Sequence, residues 1–335
     1  MKIQNINFCT HFSSTYIPQG VALLLSVREL YPDSKIWVMP LDDISQLTLS
    51  ELNIENVKVL KINQAPGLFA NFEKFLLART FAESIFSIKP QVIEYAMKES
   101  HEGELLFYLD ADTFFFAPLH LRENFHEKSI FLSPHYFTAM SLGSASAGEF
   151  NAGLVGFRNN NFGRESIRYW SSLCEEWCSV KPQSGRYADQ KYLEEIRNKW
   201  SAEVEILEYG NNFGTWSFAH ALQVEIRNQD IYINQKKVTS FHFHGLKISK
   251  SLIRTGISMY GQFPAEKKIK KMIYSRYRIY LNKVLELLAE IETKGTYKNT
   301  SSFPEVGGLR NFLALARRRD YMLMKRVPNI FRSRK

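Results

Sequence analysis

The sequence predicts an α/β protein whose core is a buried β-sheet and whose C-terminal part is helical. Leu105–Leu109 is an uninterrupted apolar run, which is typical of a strand covered on both faces and therefore of a parallel strand. The chain begins with a strand, helix and strand pattern, and a right-handed crossover would make those two strands parallel. From residue 273 onward, apolar residues recur at alternating spacings of four and three, which predicts an amphipathic helix.

The N-terminal third is predicted to alternate strands with helices. The predicted elements are, in order, a strand over 3–9, a polar loop over 10–15, a helix over 19–30, strands over 35–40 and 56–62, a helix over 71–88, and a helix through residue 100 with Pro90 in its first turn. The loop after the first strand is expected at the same sheet edge as Asp110, where ligands bind in open α/β sheets. No GxGxxG follows the first strand and no P-loop motif occurs, so dinucleotide oxidoreductases and P-loop enzymes lose support.

A second buried strand is predicted over 150–157, with Asn151 at its start and with Gly153 and Gly156 allowing close backbone approach. The remaining predicted elements are a helix over 164–179, a helix opened by residues 188–190, a loop over 210–218, a hairpin of 224–226 and 231–233, and a strand over 238–244. Asp189 is expected in the first turn of its helix, where the helix dipole favours a carboxylate.

The net charge of +9 is unevenly distributed along the chain. Residues 265–335 contain 18 Lys and Arg against 6 Asp and Glu, whereas residues 1–264 carry a net charge of −3. This asymmetry predicts a main domain over 1–264 and a basic helical extension over 265–335, and it argues against nucleic acid as a partner of the main domain. Cys9, Cys174 and Cys178 are too few for a disulfide framework and are expected to be buried thiols in a reducing cytoplasm.

Two carboxylates, Asp110 and Asp112, follow the central apolar strand. Residues two apart in an extended chain project to the same side, so these side chains are expected to converge. Carboxylate oxygens suit Mg²⁺ or Mn²⁺, which retain waters and accept substrate phosphates as further ligands. The alternative is a solvated acidic turn, which the preceding buried strand makes less attractive.

Four motifs occur in a fixed order along the chain. They are YLDAD at 108–112, FNAGLVGF at 150–157, ADQKYL at 188–193 and FHFHGLK at 241–247. In order and approximate spacing they resemble the motifs of GT-A glycosyltransferases, especially the retaining, family-8-like bacterial enzymes that use nucleotide-diphosphate sugars. The resemblance extends over residues 3–250 and implies a GT-A fold, which is a Rossmann-like mixed sheet, with 1–264 as the catalytic domain.

The resemblance implies that Asp110 and Asp112 bind a divalent cofactor, Mn²⁺ or Mg²⁺, together with the donor diphosphate. It also implies that His242 is a third metal ligand, and neutral imidazole is a suitable ligand beside two carboxylates. His244 is expected on the same strand face as His242 and is therefore an alternative ligand. The structural alternative is a histidine that only packs within an aromatic strand.

The resemblance further implies a set of donor-binding residues. They are Thr10, Tyr16, Lys89, Asp110, Asn151, Gly245 and Lys247. The first two are expected in the loop after the first strand, near the base and ribose, and Lys247 is expected at the diphosphate. In the family pattern the lysine lies one position further from the histidine than Lys247 does, and the proline and tryptophan that follow it are missing here. Lys250 is the alternative to Lys247. Arg79 is the alternative to Lys89.

Asp189 and Gln190 are the expected catalytic residues. In a retaining reaction they flank the anomeric carbon and hold hydroxyls of the donor sugar, and Gln190 is limited to positioning or dipolar stabilisation because an amide does not titrate. In an inverting reaction Asp189 would be the general base. Helix capping and loop hydrogen bonds are the structural alternative for both residues.

These expectations define a metal-dependent, hexosyltransferase-type glycosyltransferase with retention of configuration. Its donor is expected to be a nucleotide-diphosphate sugar, in particular a UDP-sugar, and its acceptor a glycan or lipid-linked saccharide of bacterial lipopolysaccharide or capsule. A sugar-nucleotide nucleotidyltransferase also needs carboxylates and a metal, but residues 10–20 lack its glycine-rich, lysine-bearing motif. A non-catalytic nucleotide-sugar-binding module is the third alternative.

Residues 312–335 interleave basic with apolar side chains, which is the composition of a segment that binds an anionic membrane surface. A solvated end of the chain is the alternative, and no recognisable RNA-binding module accompanies the segment. No signal-peptide-like apolar stretch occurs near the start. A cytoplasmic protein is therefore expected, peripheral on the inner face of the cell membrane. The apolar stripe from residue 273 is expected to pack on the main domain, or on a second subunit.

Overall fold

The computed structural model describes residues 6–137, 146–248, 252–260, 265–293 and 321–323. Its first elements are β1 (Ile6–Phe12), α1 (Ile17–Leu30), β2 (Ile36–Pro40), α2 (Asp43–Leu52), β3 (Val57–Val59), α3 (Pro66–Ala78), α4 (Phe81–Lys98), β4 (Leu105–Leu109), β5 (Thr113–Phe115), β6 (Ile130–Pro134), β7 (Phe150–Arg158), α5 (Asn161–Glu176) and α6 (Tyr192–Lys199). They are followed by β8 (Val204–Ile206), β9 (Phe213–Gly214), β10 (Val224–Arg227), β11 (Asp230–Ile233), β12 (Lys236–Lys237), β13 (Ser240–His242), β14 (Lys247–Ile248), β15 (Leu252–Arg254), α7 (Glu266–Ile269), α8 (Ser275–Thr293) and β16 (Tyr321–Leu323).

A seven-stranded sheet in the order β3-β2-β1-β4-β7-β6-β8 forms the centre of the protein. Strands β3, β2, β1 and β4 are parallel, whereas β7 runs antiparallel to both β4 and β6. The predicted mixed α/β sheet with a helical C-terminal region is therefore confirmed. A smaller sheet, β5-β13-β9, brings the segment after β4 beside the FHFH segment.

Both faces of the central sheet are buried, as its uninterrupted apolar strands predict. On β4, Phe107 packs in a hydrophobic cluster with α1, α2 and α8, whereas Leu106 and Tyr108 pack in a second cluster with α3, α4 and α5. Each fully buried apolar side chain of this kind contributes roughly 1.5–3 kcal/mol relative to exposure. The sheet is therefore a rigid base for whatever lies at the end of β4.

The single helix predicted over 71–88 is wrong, because the chain breaks between α3 and α4. Thr80 begins α4 with a capping box, in which the Thr80 Oγ1 accepts from the backbone N–H of Glu83 and the Glu83 carboxylate accepts from that of Thr80. The predicted position of Pro90 is also wrong, since it lies inside α4. Ile88 and Val92 on either side are completely buried. That packing outweighs the roughly 3 kcal/mol cost of an interior proline.

Two further predictions of element extent are corrected. Strand β1 continues to Phe12, so Thr10 lies within the strand and not in the loop that follows it. The helix expected from Ala188 begins only at Tyr192, because Ala188 has a φ of +45° and forms part of a turn. Asp189 consequently precedes the helix and does not occupy its first turn. The predicted hairpin is confirmed as the antiparallel pair of β10 and β11.

The C-terminal helices pack on the main domain, as one of the two predicted arrangements requires. α8 contacts α1 and α2, and its buried side chains belong to the same hydrophobic cluster as Phe107 of β4. The predicted stripe is correct at Tyr277 and Val284 but wrong at Leu287, which is 36% exposed, while Leu288 is buried. A spacing of alternating fours and threes has a 3.5-residue period, and it drifts around a helix of 3.6 residues per turn.

Most of the basic tail lies outside the described residues, which include only Tyr321–Leu323 of its last part. That strand pairs with β15. The predicted membrane contact through 312–335 and the predicted boundary after residue 264 therefore remain predictions from the sequence. Among the helices of the described residues, none has both the length and the apolar character that a bilayer crossing requires.

Candidate active site

The site begins where β4 ends, at a turn that carries both acidic residues of YLDAD. The backbone N–H of Asp110 donates to the carbonyl of Gly153 at 2.8 Å, and that of Thr113 donates back to the carbonyl of Asp110 at 3.0 Å. The turn places both carboxylates at the edge of the sheet. Asp112 is nearly buried, with 12% of its side chain exposed, while 27% of the Asp110 side chain is exposed.

Strand β13 brings His242 against this turn. In its antiparallel pairing with β5, His242 lies opposite Thr113, and the N–H of Phe243 donates to the carbonyl of Asp112 at 2.7 Å. The Nε2 atom of His242 is 3.0 Å from Asp112 Oδ1 and 3.9 Å from Asp110 Oδ2. Two carboxylates and one imidazole thus converge, as the sequence predicted for a metal site.

The electrostatics of this pair favour an ionised carboxylate. Burial opposes ionisation of Asp112, but the charge and hydrogen bond of His242 outweigh it and hold the Asp112 pKa at about 2. Conversely, burial opposes protonation of His242, and Asp112 outweighs it, so the His242 pKa is raised. The Asp112 carboxylate is therefore ionised, and a cation that displaced the proton of His242 would take its place beside this carboxylate.

The donor set fits a divalent metal ion. Asp112, His242 and His244 each offer a ligand atom, and these atoms lie within 4.8 Å of one another. Ligands at about 2.1 Å from an ion are up to about 4.2 Å apart, so the spacing is close to that of an ion-binding site. The Nε2 atom of His242 faces the carboxylates and is available to an ion once the imidazole is neutral.

Lys89 is a buried cation that connects two predicted site residues. Its ammonium group lies 3.2 Å from Asp110 Oδ1 and 2.9 Å from Asp189 Oδ2, and it donates to the carbonyl of Ala152 at 3.2 Å. Only 2% of the Lys89 side chain is exposed. The two carboxylates raise the Lys89 pKa although burial opposes the charge. The structure therefore places Lys89 behind the carboxylates, bonded to protein groups.

Asp189 is buried beside Lys89, in the turn before α6. The preceding residue, Ala188, has a left-handed backbone conformation. The indole N–H of Trp170 donates to the carbonyl of Asp189 at 2.8 Å. Burial raises the Asp189 pKa, against the opposing effect of Lys89. The conformation of Ala188 costs of order 1 kcal/mol, which places strain next to the site.

The neighbouring Gln190 is half-buried, and its amide donates to the carbonyl of Ala147 at 2.9 Å. That bond ties the turn before α6 to the segment that precedes β7. Asp189 and Gln190 are thus adjacent in sequence but bonded to different parts of the protein.

Asn151 and Gly153 lie on β7, opposite the acidic turn, which is the turn that carries Asp110 and Asp112. The Asn151 Oδ1 accepts from Gly153 N–H at 2.9 Å and from the Asn212 amide at 3.0 Å, and the Asn151 amide lies 3.2 Å from His135 Nε2. A Cβ atom on Gly153 would lie 2.5 Å from His242 Cε1. Glycine is therefore required there for His242 to approach the sheet.

Tyr16 and Lys247 come together although they are far apart in sequence. The Lys247 ammonium lies 3.4 Å from the Tyr16 hydroxyl and 5.2 Å from the centre of its ring. Burial raises the Tyr16 pKa, and the charges of Asp112 and Asp110 raise it further. Gly245, with a φ of +75°, turns the chain between His242 and Lys247.

Two further residues weighed for the donor site, Thr10 and Arg79, are described by the structure, and the donor-binding role of Thr10 stays a prediction. Thr10 is buried inside β1, and its hydroxyl has no hydrogen-bond partner among the described residues. Arg79 donates to the carbonyls of Cys174 and Glu175 at 2.6 and 2.5 Å, which is a helix-end role. Lys250 lies outside the described residues.

Three buried aromatic or imidazole residues near the site were missed by sequence reasoning. Tyr108 donates its hydroxyl to Asp110 Oδ1 at 2.9 Å. Trp216 packs edge-on against His242 with ring centres 5.0 Å apart, and His135 bonds to Asn151. The position of Tyr108 two residues before Asp110 could have indicated its role, because alternate strand residues share a face. Nothing in the local sequence marks the other two.

Comparisons with known proteins give distant similarities. No protein-family model matches the chain. The protein YfnF of Bacillus subtilis (strain 168), described as uncharacterized, is 24% identical over 254 residues, which cover 72% of this chain and 82% of YfnF.

Two solved structures are similar at low identity. A crystal structure of an active-site mutant of LgtC has a TM-score of 0.47 and 14% identity, and the alignment covers 72% of this chain and 88% of that one. The glycosyltransferase GlyE of Streptococcus pneumoniae TIGR4 has a TM-score of 0.46 and 14% identity, covering 89% of this chain and 67% of GlyE.

Proposed function

We propose that this protein is a GT-A-type glycosyltransferase that uses a divalent metal ion. Its donor is a nucleotide-diphosphate sugar, in particular a UDP-sugar, and the sugar is transferred with retention of configuration. The observation that supports the proposal best is the convergence of Asp110, Asp112 and His242 at the end of β4, with His242 Nε2 3.0 and 3.9 Å from the two carboxylates. A merely solvated acidic turn does not bury one of its carboxylates against an imidazole.

Asp110, Asp112 and His242 would hold Mn²⁺ or Mg²⁺. When bound, the ion supplies positive charge that stabilises the nucleoside diphosphate as it leaves the sugar. Lys247 and Tyr16, which contact each other, are assigned to the diphosphate and the nucleoside, and the charges of Asp110 and Asp112 act on Tyr16. The departing nucleoside diphosphate needs no proton, so no general acid is required at this edge of the sheet.

Asp189 and Gln190 are assigned to the donor sugar. Asp189 is ion-paired to Lys89 at 2.9 Å and is almost completely buried. That environment supports a positioning role, because a general base needs a direct path to the acceptor proton. Asn151 is assigned to the same region, through the Asn151–Gly153 segment that contacts the acidic turn.

The acceptor is proposed to be a glycan or lipid-linked saccharide of a bacterial surface polysaccharide. A cytoplasmic location with the basic segment 312–335 on an anionic membrane surface would bring the site to such an acceptor. Nucleic acid is not proposed as a partner.

Slow hydrolysis of the donor in the absence of an acceptor tests the proposal. The purified chain is incubated with a panel of UDP-, GDP- and TDP-sugars and with Mn²⁺, Mg²⁺ or EDTA, and released nucleoside diphosphate is measured by chromatography. Release from one donor, abolished by EDTA, is expected. Nuclear magnetic resonance of the released sugar gives the anomer first formed, and inversion would contradict the retaining part of the proposal.

The same assay separates the other two functions. A nucleotidyltransferase would release pyrophosphate from a nucleoside triphosphate and a sugar phosphate, and it would leave nucleotide sugars intact in the absence of pyrophosphate. A binding module would bind one nucleotide sugar without releasing any product. Either result would overturn the glycosyltransferase proposal.

A further inference from the structure

The FHFH segment presents two histidines to the acidic turn. In the antiparallel pairing of β13 with β5, His242 lies opposite Thr113. The hydrogen bond from Phe243 N–H to the Asp112 carbonyl, 2.7 Å long, continues the same register by one residue. His244 follows in the turn after β13, two residues beyond His242.

The side chain of His244 converges on the same point as that of His242. The ligand atoms of Asp112, His242 and His244 all lie within 4.8 Å of one another. Asp112 and His242 are buried, and His244 is partly buried. Two imidazoles and a carboxylate at this spacing are a common ligand set for transition-metal ions.

The backbone of His244 is fixed by close packing on both sides. Gly245 follows it with a φ of +75°, and a Cβ atom on Gly256 would lie 2.7 Å from the His244 carbonyl oxygen. The centre of the imidazole ring lies 6.2 Å from the ring centre of Trp216 and 6.1 Å from that of Tyr260. His244 is therefore held in place before any ligand binds.

Asp110 is less free than the other acid to act as the main ligand. Its Oδ1 atom accepts from the Tyr108 hydroxyl at 2.9 Å and lies 3.2 Å from the Lys89 ammonium. Its Oδ2 atom is the one directed to the histidine side, 3.9 Å from His242 Nε2. Only one oxygen of Asp110 is therefore available to an ion. The coordination shell of that ion has room for a second nitrogen ligand from the protein.

We propose that His244 is a ligand of the metal together with Asp112 and His242, so that the ion has two imidazole nitrogens beside its carboxylates. The inference rests on the proposed function only in placing a metal ion at the acidic turn. Nitrogen donors suit Mn²⁺, Co²⁺ and Zn²⁺ better than Mg²⁺, which prefers oxygen ligands in an octahedral arrangement. The site is therefore selective for transition-metal ions over Mg²⁺.

Binding of Mn²⁺ to the full chain without nucleotide sugar tests the inference. Electron spin-echo envelope modulation of bound Mn²⁺ detects directly coordinated imidazole nitrogen, and calorimetry gives the dissociation constant. The variants are His244→Asn and His244→Gln, and the control is His126→Asn, which changes an exposed histidine outside the site.

Modulation from two imidazole nitrogens is expected in the wild type and from one in either His244 variant. Loss of one ligand is expected to weaken Mn²⁺ binding by about tenfold or more and Mg²⁺ binding much less, and the His126→Asn variant is expected to match the wild type. A wild-type spectrum with only one nitrogen, or His244 variants with unchanged Mn²⁺ affinity, would overturn the inference. The wild-type spectrum decides the question even if both variants fail to fold.

The two proposals fail in different ways. A protein that binds Mn²⁺ through two nitrogens but hydrolyses no nucleotide sugar would contradict the proposed function and leave this ligand assignment standing. A protein that hydrolyses a nucleotide sugar with a one-nitrogen site would contradict the ligand assignment alone.

Discussion

Lys89 is the residue on which the arrangement of the site depends most. It is buried in α4, and its ammonium group joins Asp110 of the acidic turn to Asp189 of the turn before α6. Taking one charge away from a buried group of charges leaves the others uncompensated, and this is costlier than the net value of the ion pair. Lys89 therefore holds together two turns, those of Asp110 and Asp189, which the proposed reaction needs side by side.

The Lys89→Met variant is expected to be destabilised by about 3 kcal/mol in urea unfolding at pH 7, because Asp189 becomes an unpaired buried carboxylate. The control is Lys98→Met on the same helix, whose lysine side chain is 67% exposed and whose substitution is expected to cost less than about 0.5 kcal/mol. Adding Asp189→Asn to Lys89→Met is expected to recover part of the loss. If the two substitutions were simply additive, the ion pair would not be the cause.

At the residue scale, the sequence could predict the acidic pair and His242 but not the buried ion pair of Lys89 with Asp189. Asp110 and Asp112 follow an apolar strand with a spacing that forces convergence, and His242 could be added by resemblance. Lys89 was expected as a positive charge near the donor phosphates, and its burial could not be predicted because a lysine in a helix gives no local sign of being buried. Its burial depends on Asp189, a residue distant in sequence that the fold brings within 2.9 Å.

At the scale of elements, β7 decides how close β13, which carries His242, can come to the acidic turn. Gly153 lies where β7 passes the acidic turn, and its carbonyl accepts the N–H of Asp110. A methyl group there would lie 2.5 Å from His242 Cε1 and 2.7 Å from Asn151 Oδ1. Both neighbours are buried, so neither can move away freely.

Gly153→Ala is expected to destabilise the protein by about 1–3 kcal/mol and to weaken Mn²⁺ binding, because His242 must shift. The matched control is Gly67→Ala in the first turn of α3, where a Cβ atom would have no neighbour within 4 Å. That substitution is expected to be neutral or slightly stabilising, since alanine is the better helix former. Thermal unfolding and calorimetric Mn²⁺ titration of both variants provide the measurement. Equal behaviour of the two would contradict the close approach.

The sequence predicted the existence of most elements better than their ends. The apolar runs of β4 and β7 were located correctly because a strand covered on both faces leaves a continuous apolar run. The Pro90 prediction failed because tertiary packing of α4 overrides the local preference of proline. The start of α6 was missed because Ala188 adopts a left-handed conformation, for which alanine gives no signal.

At the scale of the whole molecule, buried neutral histidines make the fold sensitive to acid. Burial, and next the charge of Lys89, lower the His11 pKa to about 4, and burial lowers the His135 pKa to about 3. Both values lie below the 6.5 of an unfolded chain, so the unfolded state binds more protons below pH 6.5. The contribution of these two histidines to the free energy of unfolding is therefore fully present above pH 6.5. It is lost as the pH falls towards their pKa values in the folded protein.

Metal-free protein is expected to lose roughly 1–2 kcal/mol for each of His11 and His135 between pH 7.5 and pH 5, measured as the shift in urea unfolding free energy. His11→Gln keeps a donor for the Ile85 carbonyl, to which His11 Nε2 lies at 3.0 Å, and it is expected to lose its share of this pH dependence. His126→Gln changes an exposed ring and is expected to retain the wild-type slope. A slope unaltered by His11→Gln would show that another group causes the acid sensitivity.

The proposed function requires that a pair of acids and a histidine hold the cation that allows a nucleoside diphosphate to leave a sugar. Its most direct test is Mn²⁺-dependent hydrolysis of the preferred nucleotide sugar by Asp112→Asn, compared with Asp33→Asn, which changes an exposed carboxylate in the turn after α1. Asp112→Asn is expected to fold like the wild type and to show no detectable hydrolysis, while Asp33→Asn retains full activity. Full Mn²⁺-dependent hydrolysis by a folded Asp112→Asn variant would contradict this requirement.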